Sequence, residues 1–139
     1  LWPGRAFEQR EAALHREAQE ILRFVGLGHL AGETAKNLPH GHQRALGVAI
    51  ALAAKPTLLL LDEPMAGMNP EETTAFMALV RRIRESGVTI LLVEHDMRAV
   101  MGLCDRIIVL NYGKKIAEGK PAEIRENRDV VEAYLGREE

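Results

Sequence analysis

Residues 57–64 read Thr57-Leu58-Leu59-Leu60-Leu61-Asp62-Glu63-Pro64. Four consecutive leucines fit a short strand buried on both faces, as in a parallel sheet. The run stops at two carboxylates, and Pro64 cannot continue a central strand. Adjacent carboxylates at the carboxyl end of such a strand stand where open α/β sheets bind ligands. Phosphoryl transfer uses such a pair: one carboxylate holds Mg²⁺ and the other orients or deprotonates the attacking water. A strand that ends in an ordinary polar turn would look the same, so the neighbours decide.

Outward from the octet, helices and strands alternate. Upstream, Phe7, Leu14, Ala18, Ile21, Leu22 and Val25 form an apolar stripe at helical spacing, closed by Gly26 and Gly28. Residues 29–42 read as a polar loop, and Gln43 to Ala54 as a very apolar, buried helix stopped before Pro56. Downstream, Pro70 with Glu71 and Glu72 behind it favours a helix to about Glu85. Val88 to Val93 reads as a second buried strand, Asp96 to Gly102 as a short helix, and Arg106 to Leu110 as a third strand. Lys115 to Ala117 can return antiparallel, and two small helices follow, Pro121 to Glu126 and Asp129 to Leu135. The alternation predicts an α/β fold with a mostly parallel sheet.

Composition removes several classes. A net charge of -2 and the lack of a basic block give no reason to expect a nucleic-acid partner. The longest nearly apolar run, Leu46 to Ala54, is too short to span a bilayer. The lone Cys104 has no internal disulfide partner, which agrees with a reducing compartment. The chain opens on Leu1 with a helical pattern soon after, and so reads as the later part of a longer protein. These residues contain no Gly-x-x-x-x-Gly-Lys-[Ser/Thr] loop to cradle phosphates.

Three further stretches bear on the chemistry. His95 follows the second strand; parallel strands end on one side of a sheet, which would put it near Asp62 and Glu63. There it could bond a γ-phosphate and the attacking water, or it could be incidental to a helix capped by Asp96. Asn37-Leu38-Pro39-His40-Gly41-His42-Gln43-Arg44 precedes a buried helix, and amides at a helix start bind anions. His40 and His42 have no cysteine or carboxylate beside them in sequence, which argues against a metal centre. Ala66-Gly67-Met68-Asn69-Pro70 is a turn by composition.

In this order and at this spacing, the four elements resemble the ATP-binding subunit of an ABC transporter, over essentially the whole chain. Leu38 to His42 stands where that family has its LSGGQ signature, Thr57 to Pro64 is similar to its Walker B strand, Ala66 to Asn69 to its D-loop, and His95 to its switch histidine. The signature proline, Ala-Gly-x-Asn-Pro, Val-Glu-His-Asp-Met and the ending Glu-Ile-Arg-Glu-Asn…Val-Glu-Ala-Tyr-Leu-Gly resemble the branched-chain amino-acid importer ATPases. Pro39 replaces the signature serine, which the resemblance implies this subfamily tolerates; His42 replaces the usual glutamine, which puts the strength of the γ-phosphate contact from this loop in question.

The resemblance implies the C-terminal portion of a P-loop NTPase domain, with a helical signature region over 1–54, an α/β core over 55–119 and C-terminal helices over 120–139. It implies ATP and Mg²⁺ as cofactors, Asp62 holding the metal through water, and Glu63 and His95 as catalytic groups. Leu38, Pro39, His40, Gly41, His42 and Gln43 would face ATP held by a second ATPase subunit, identical or not, and Asn69 would serve in the D-loop. The implied setting is the cytoplasmic face of a cell membrane, beneath permease subunits fed by a periplasmic binding protein. A non-transport ABC ATPase would share these motifs. Without a phosphate loop the 139 residues alone are expected to be inactive, as a silent folding or interaction unit would be.

Overall fold

The computed structural model describes residues 4–135. The start at Leu1 and the close of the C-terminal stretch, from Gly136 on, lie outside the described residues. The chain divides into two compact units, residues 1–91 and 92–139.

In the first unit, α1 (Arg5–Phe24) packs on α2 (His40–Ala53), and α2 packs on α3 (Pro70–Glu85). None of α1's residues is buried, and Phe7 and Leu14 of the expected stripe are more than half exposed. Packing on α2 covers only part of that stripe; Val25 and Leu27, in the turn that follows, are the buried anchors. Lys55 reaches back to Glu17 at 2.8 Å, and the Arg82 guanidinium lies 5.8 Å from the centroid of the Phe24 ring.

The helix expected from Gln43 begins at His40. Pro39 is extended (φ -54, ψ 154), and its carbonyl accepts the Gln43 amide at 3.0 Å, which closes the first turn over residues 39–43. Nor is α2 buried all round. Ala45, Val48 and Ala49 form its covered face and Ile50 is 69% exposed. The expected loop before it carries two short 3₁₀ turns, Gly28–Leu30 and Ala35–Asn37.

The octet yields β1 (Leu58–Asp62), which pairs with β2 (Thr89–Val93). The Thr89 amide donates to the Thr57 carbonyl, start against start, so the pair is parallel. The expectation of two buried faces is not met among the described residues. Leu59 and Leu61 are buried while Leu58 and Leu60 are exposed, and Leu91 and Val93 are exposed on β2. A strand covered on one side shows this alternation even when both sets of side chains are leucine.

In the second unit, α4 (Met97–Leu103) leads to a hairpin of β3 (Ile107–Asn111) and β4 (Lys114–Gly119). Tyr112 (φ 46) and Gly113 (φ 74) occupy its two central positions, the backbone of a type I′ turn, and the register shifts between Val109 and Leu110. Val100, Ile107, Val109, Ala117, Ile124 and Val130 form one buried cluster beneath α5 (Pro121–Glu126), α6 (Arg128–Val130) and the π turn Val131–Leu135. The Tyr134 hydroxyl donates to the Leu110 carbonyl. Among the described residues the strands therefore pair as two two-stranded sheets, one parallel and one antiparallel, within an α/β fold.

Candidate functional site

Asp62 is the last residue of β1 and Glu63 the first beyond it, and both are exposed. Glu63 has φ 41, in the left-handed region that side chains with a Cβ avoid at a cost of about 1–2 kcal/mol. The turn after it is tight. The Ala66 amide donates to the Glu63 carbonyl at 3.2 Å and the Met68 amide to the Met65 carbonyl at 3.1 Å. Pro64 and Met65 are buried, so the turn is anchored by its apolar residues while two carboxylates stay at the surface. Among the described residues, no group of three or more His, Cys, Asp or Glu side chains could hold a metal. Asp62 and Glu63 are two adjacent exposed carboxylates, and Mg²⁺ takes one or two carboxylates and completes its shell with phosphates and waters.

A second group forms at the start of α2, in the same unit. Pro39 at the cap position offers the helix no side-chain hydrogen bond. The Gly41 amide instead donates to Glu72 Oε1 at 3.3 Å, and Gln43 Nε2 folds back to the Leu38 carbonyl at 2.9 Å. His42 Nδ1 is buried without a hydrogen-bond partner. His40 lies against the turn that follows β1: a Cβ on Gly67 (φ 78) would stand 3.5 Å from His40 Cε1. The structure thus brings the start of α2 and the 66–69 turn together.

Asn69, at the end of that turn, caps α3. Its side chain accepts the Glu72 amide at 2.9 Å while Glu72 Oε2 accepts the Asn69 amide at 3.0 Å, a reciprocal capping box. Glu72 therefore accepts two backbone amides. They hold its carboxyl below the ordinary glutamate value, the Asn69 amide first and the Gly41 amide second, with His40 and His42 adding to the effect. Glu72 was absent from the sequence-derived site. Its box with Asn69 is readable as Asn-x-x-Glu, but its bond to Gly41, 31 residues away, has no local signal.

His95 belongs to the second unit, between β2 and α4. Its amide donates to Glu94 Oε2 at 3.3 Å. Asp96 Oδ1 accepts the amides of Arg98 at 2.8 Å and Ala99 at 3.3 Å, so the capping role expected of Asp96 is present.

The sequence model of the ABC transporter family matches residues 1–66, and that of the branched-chain amino acid ATP-binding cassette transporter matches residues 114–139. Both stretches of the chain are therefore similar to the ABC transporter family. Among curated relatives, the high-affinity branched-chain amino acid transport ATP-binding protein BraF of Pseudomonas aeruginosa is 44% identical over 137 residues, 98% of this chain and 54% of the relative. The protein of the same description named LivG, from Escherichia coli K12, is 47% identical over 132 residues, 94% of this chain and 52% of the relative. A crystal structure of the ADP conformation of an ATP-binding cassette of an ABC transporter superposes with a TM-score of 0.81 at 29% identity, over 90% of this chain and 51% of that one. The chain spans about half the length of the curated relatives it matches.

Proposed function

We propose that these residues form the hydrolytic and signature parts of the ATPase of an ABC importer for branched-chain amino acids. The phosphate-binding loop would come from residues beyond these 139. The observation that carries the reading is the exposed carboxylate pair at the carboxyl end of β1, with Glu63 held at φ 41. Identity of 44–47% to branched-chain amino acid transport ATP-binding proteins supports the substrate class. The match over residues 114–139 agrees with it.

The reaction is ATP + H₂O → ADP + phosphate. Glu63 takes a proton from the attacking water, whose oxygen bonds to the γ-phosphorus as the bond to the β–γ bridging oxygen breaks. His95 bonds the γ-phosphate and keeps the water aligned with Glu63. Asp62 would hold Mg²⁺ through water, and the ion would offset the negative charge of the phosphates. Leu38 to Gln43 present the start of α2 to ATP on a second ATPase subunit, and Asn69 places the D-loop at the same interface. Regions 1–54, 55–119 and 120–139 act as signature, catalytic and C-terminal parts of one domain. No helix among the described residues is long and apolar enough to cross a membrane. Attachment to the cytoplasmic face is accordingly assigned to permease subunits, which receive substrate from a periplasmic binding protein.

Glu63→Gln in the full-length protein tests this. The amide keeps the side chain's size and removes the base, so turnover falls by about 10²–10⁴ while ATP binding persists and the ATP-bound dimer accumulates. Steady-state hydrolysis at the unsubstituted rate would overturn the assignment.

A further inference from the structure

The signature turn and the D-loop turn are joined by one side chain. Glu72 Oε2 accepts the Asn69 amide at 3.0 Å, and Glu72 Oε1 accepts the Gly41 amide at 3.3 Å. A single carboxylate thus spans the amino ends of α3 and α2. The first amides of a helix have no partner within it and carry partial positive charge, so a carboxylate there is favoured on both counts. Pro39 supplies no side-chain cap to α2, and Glu72 does so from a distance. The fit is close: a Cβ on Gly41 would lie 3.1–3.3 Å from Glu72 Oε1, Cγ and Cδ. His40 also lies beside the second turn, since a Cβ on Gly67 would stand 3.5 Å from its Cε1.

We propose that Glu72 is a positioning residue that locks the signature turn to the D-loop turn, so that both reach the second subunit's nucleotide as one body. The lock rests on geometry alone; its consequence for ATP rests on the ATPase reading above. A turn held in its helical form before the partner arrives has less freedom to lose on association. Loosening the lock should therefore weaken dimer closure and leave nucleotide binding by one subunit unchanged.

Glu72→Gln separates this role from simple capping. Glutamine also serves at the third position of a capping box, so the acceptor for the Asn69 amide is kept. Its amide nitrogen has no acceptor for Gly41. In the full-length protein, exchange of the Gly41 amide should rise about tenfold, the weight of a charge-assisted hydrogen bond, while Asn69 keeps its protection. In a Glu63→Gln background, ATP-driven dimerisation should weaken about tenfold with single-subunit ATP affinity unchanged. Gly41→Ala, whose Cβ would crowd the Glu72 side chain at 3.1–3.3 Å and make it shift by a few tenths of an ångström, should weaken dimerisation in the same direction with Glu72 present.

Unchanged Gly41 exchange in Glu72→Gln would overturn the lock. Equal loss of protection at Asn69 and Gly41 would reduce Glu72 to a cap and overturn it as well. Faster Gly41 exchange with dimerisation unchanged or stronger would overturn its role in closure. Failure of the Glu63→Gln protein itself to dimerise with ATP would count against the ATPase reading and this consequence of the lock, while the exchange measurement would still decide the lock itself.

Discussion

Helices α2 and α3 begin in opposite ways. α3 is self-sufficient: Asn69, Pro70 and Glu72 supply a cap, a preset φ and a reciprocal carboxylate within four consecutive positions. α2 begins at a proline with no side-chain cap and takes its carboxylate from α3. One helix start is made by local chemistry and the other by tertiary packing, and the same Glu72 serves both. The dependent start is the one proposed above to face a second subunit's nucleotide. A turn that completes itself only through a neighbour can be coupled to that neighbour's movement, which a self-capped turn cannot.

The largest test of this contrast is Glu72→Ala, which strips the carboxylate from both starts at once. Its thermal unfolding temperature should fall further than that of any single loss at either helix. Asn69→Ala removes only the side-chain cap of α3 and should cost about 1 kcal/mol, measurable by denaturant unfolding. It should leave the Gly41 amide protected; loss of that protection would mean the two starts are not separable as described.

Acid gives the smallest and most selective effect. The Glu72 carboxyl lies below its ordinary value because two amides favour its charged form. The unfolded chain therefore takes up the proton first as pH falls. The stabilisation is complete above the ordinary glutamate value of about 4.3 and is lost as pH drops through the depressed native one. Glu17, lowered by Lys55, and Glu118, lowered by Lys115 and then Arg106, titrate in the same direction. The contribution of Glu72 is therefore read as the stability difference between unsubstituted protein and Glu72→Gln, which should shrink below about pH 4.3. A difference that stays flat into acid would show that the charge on Glu72 is not what holds the two turns.

The sequence was most legible where the deciding contacts are near neighbours. The Asp96 cap, the start of α3 at Pro70 and the extent of α5 follow from residues within one turn of each boundary. The hairpin was readable in outline from Asn111 to Ala117, and its tight turn needs positive φ at both Tyr112 and Gly113. The start of α2 was misplaced because residues 40–42 read as loop, and the carboxylate that accepts the Gly41 amide comes from 31 positions away. Burial was misjudged on β1 because four leucines carry no mark of which face is covered.

By itself, then, the sequence determined the order of helices and strands, the placing of two carboxylates at a strand end and the resemblance to an ABC ATPase. These depend on residue type and spacing along the chain. Only the tertiary structure decided that Glu63 sits in a left-handed turn, that alternate leucines of β1 are open and that Glu72 joins two turns. The last two depend on which distant segments are brought together, and the first on how a buried Pro64 and Met65 anchor the turn. A periodic pattern records the face a segment prefers to bury, but it does not record the partner that satisfies each remaining amide.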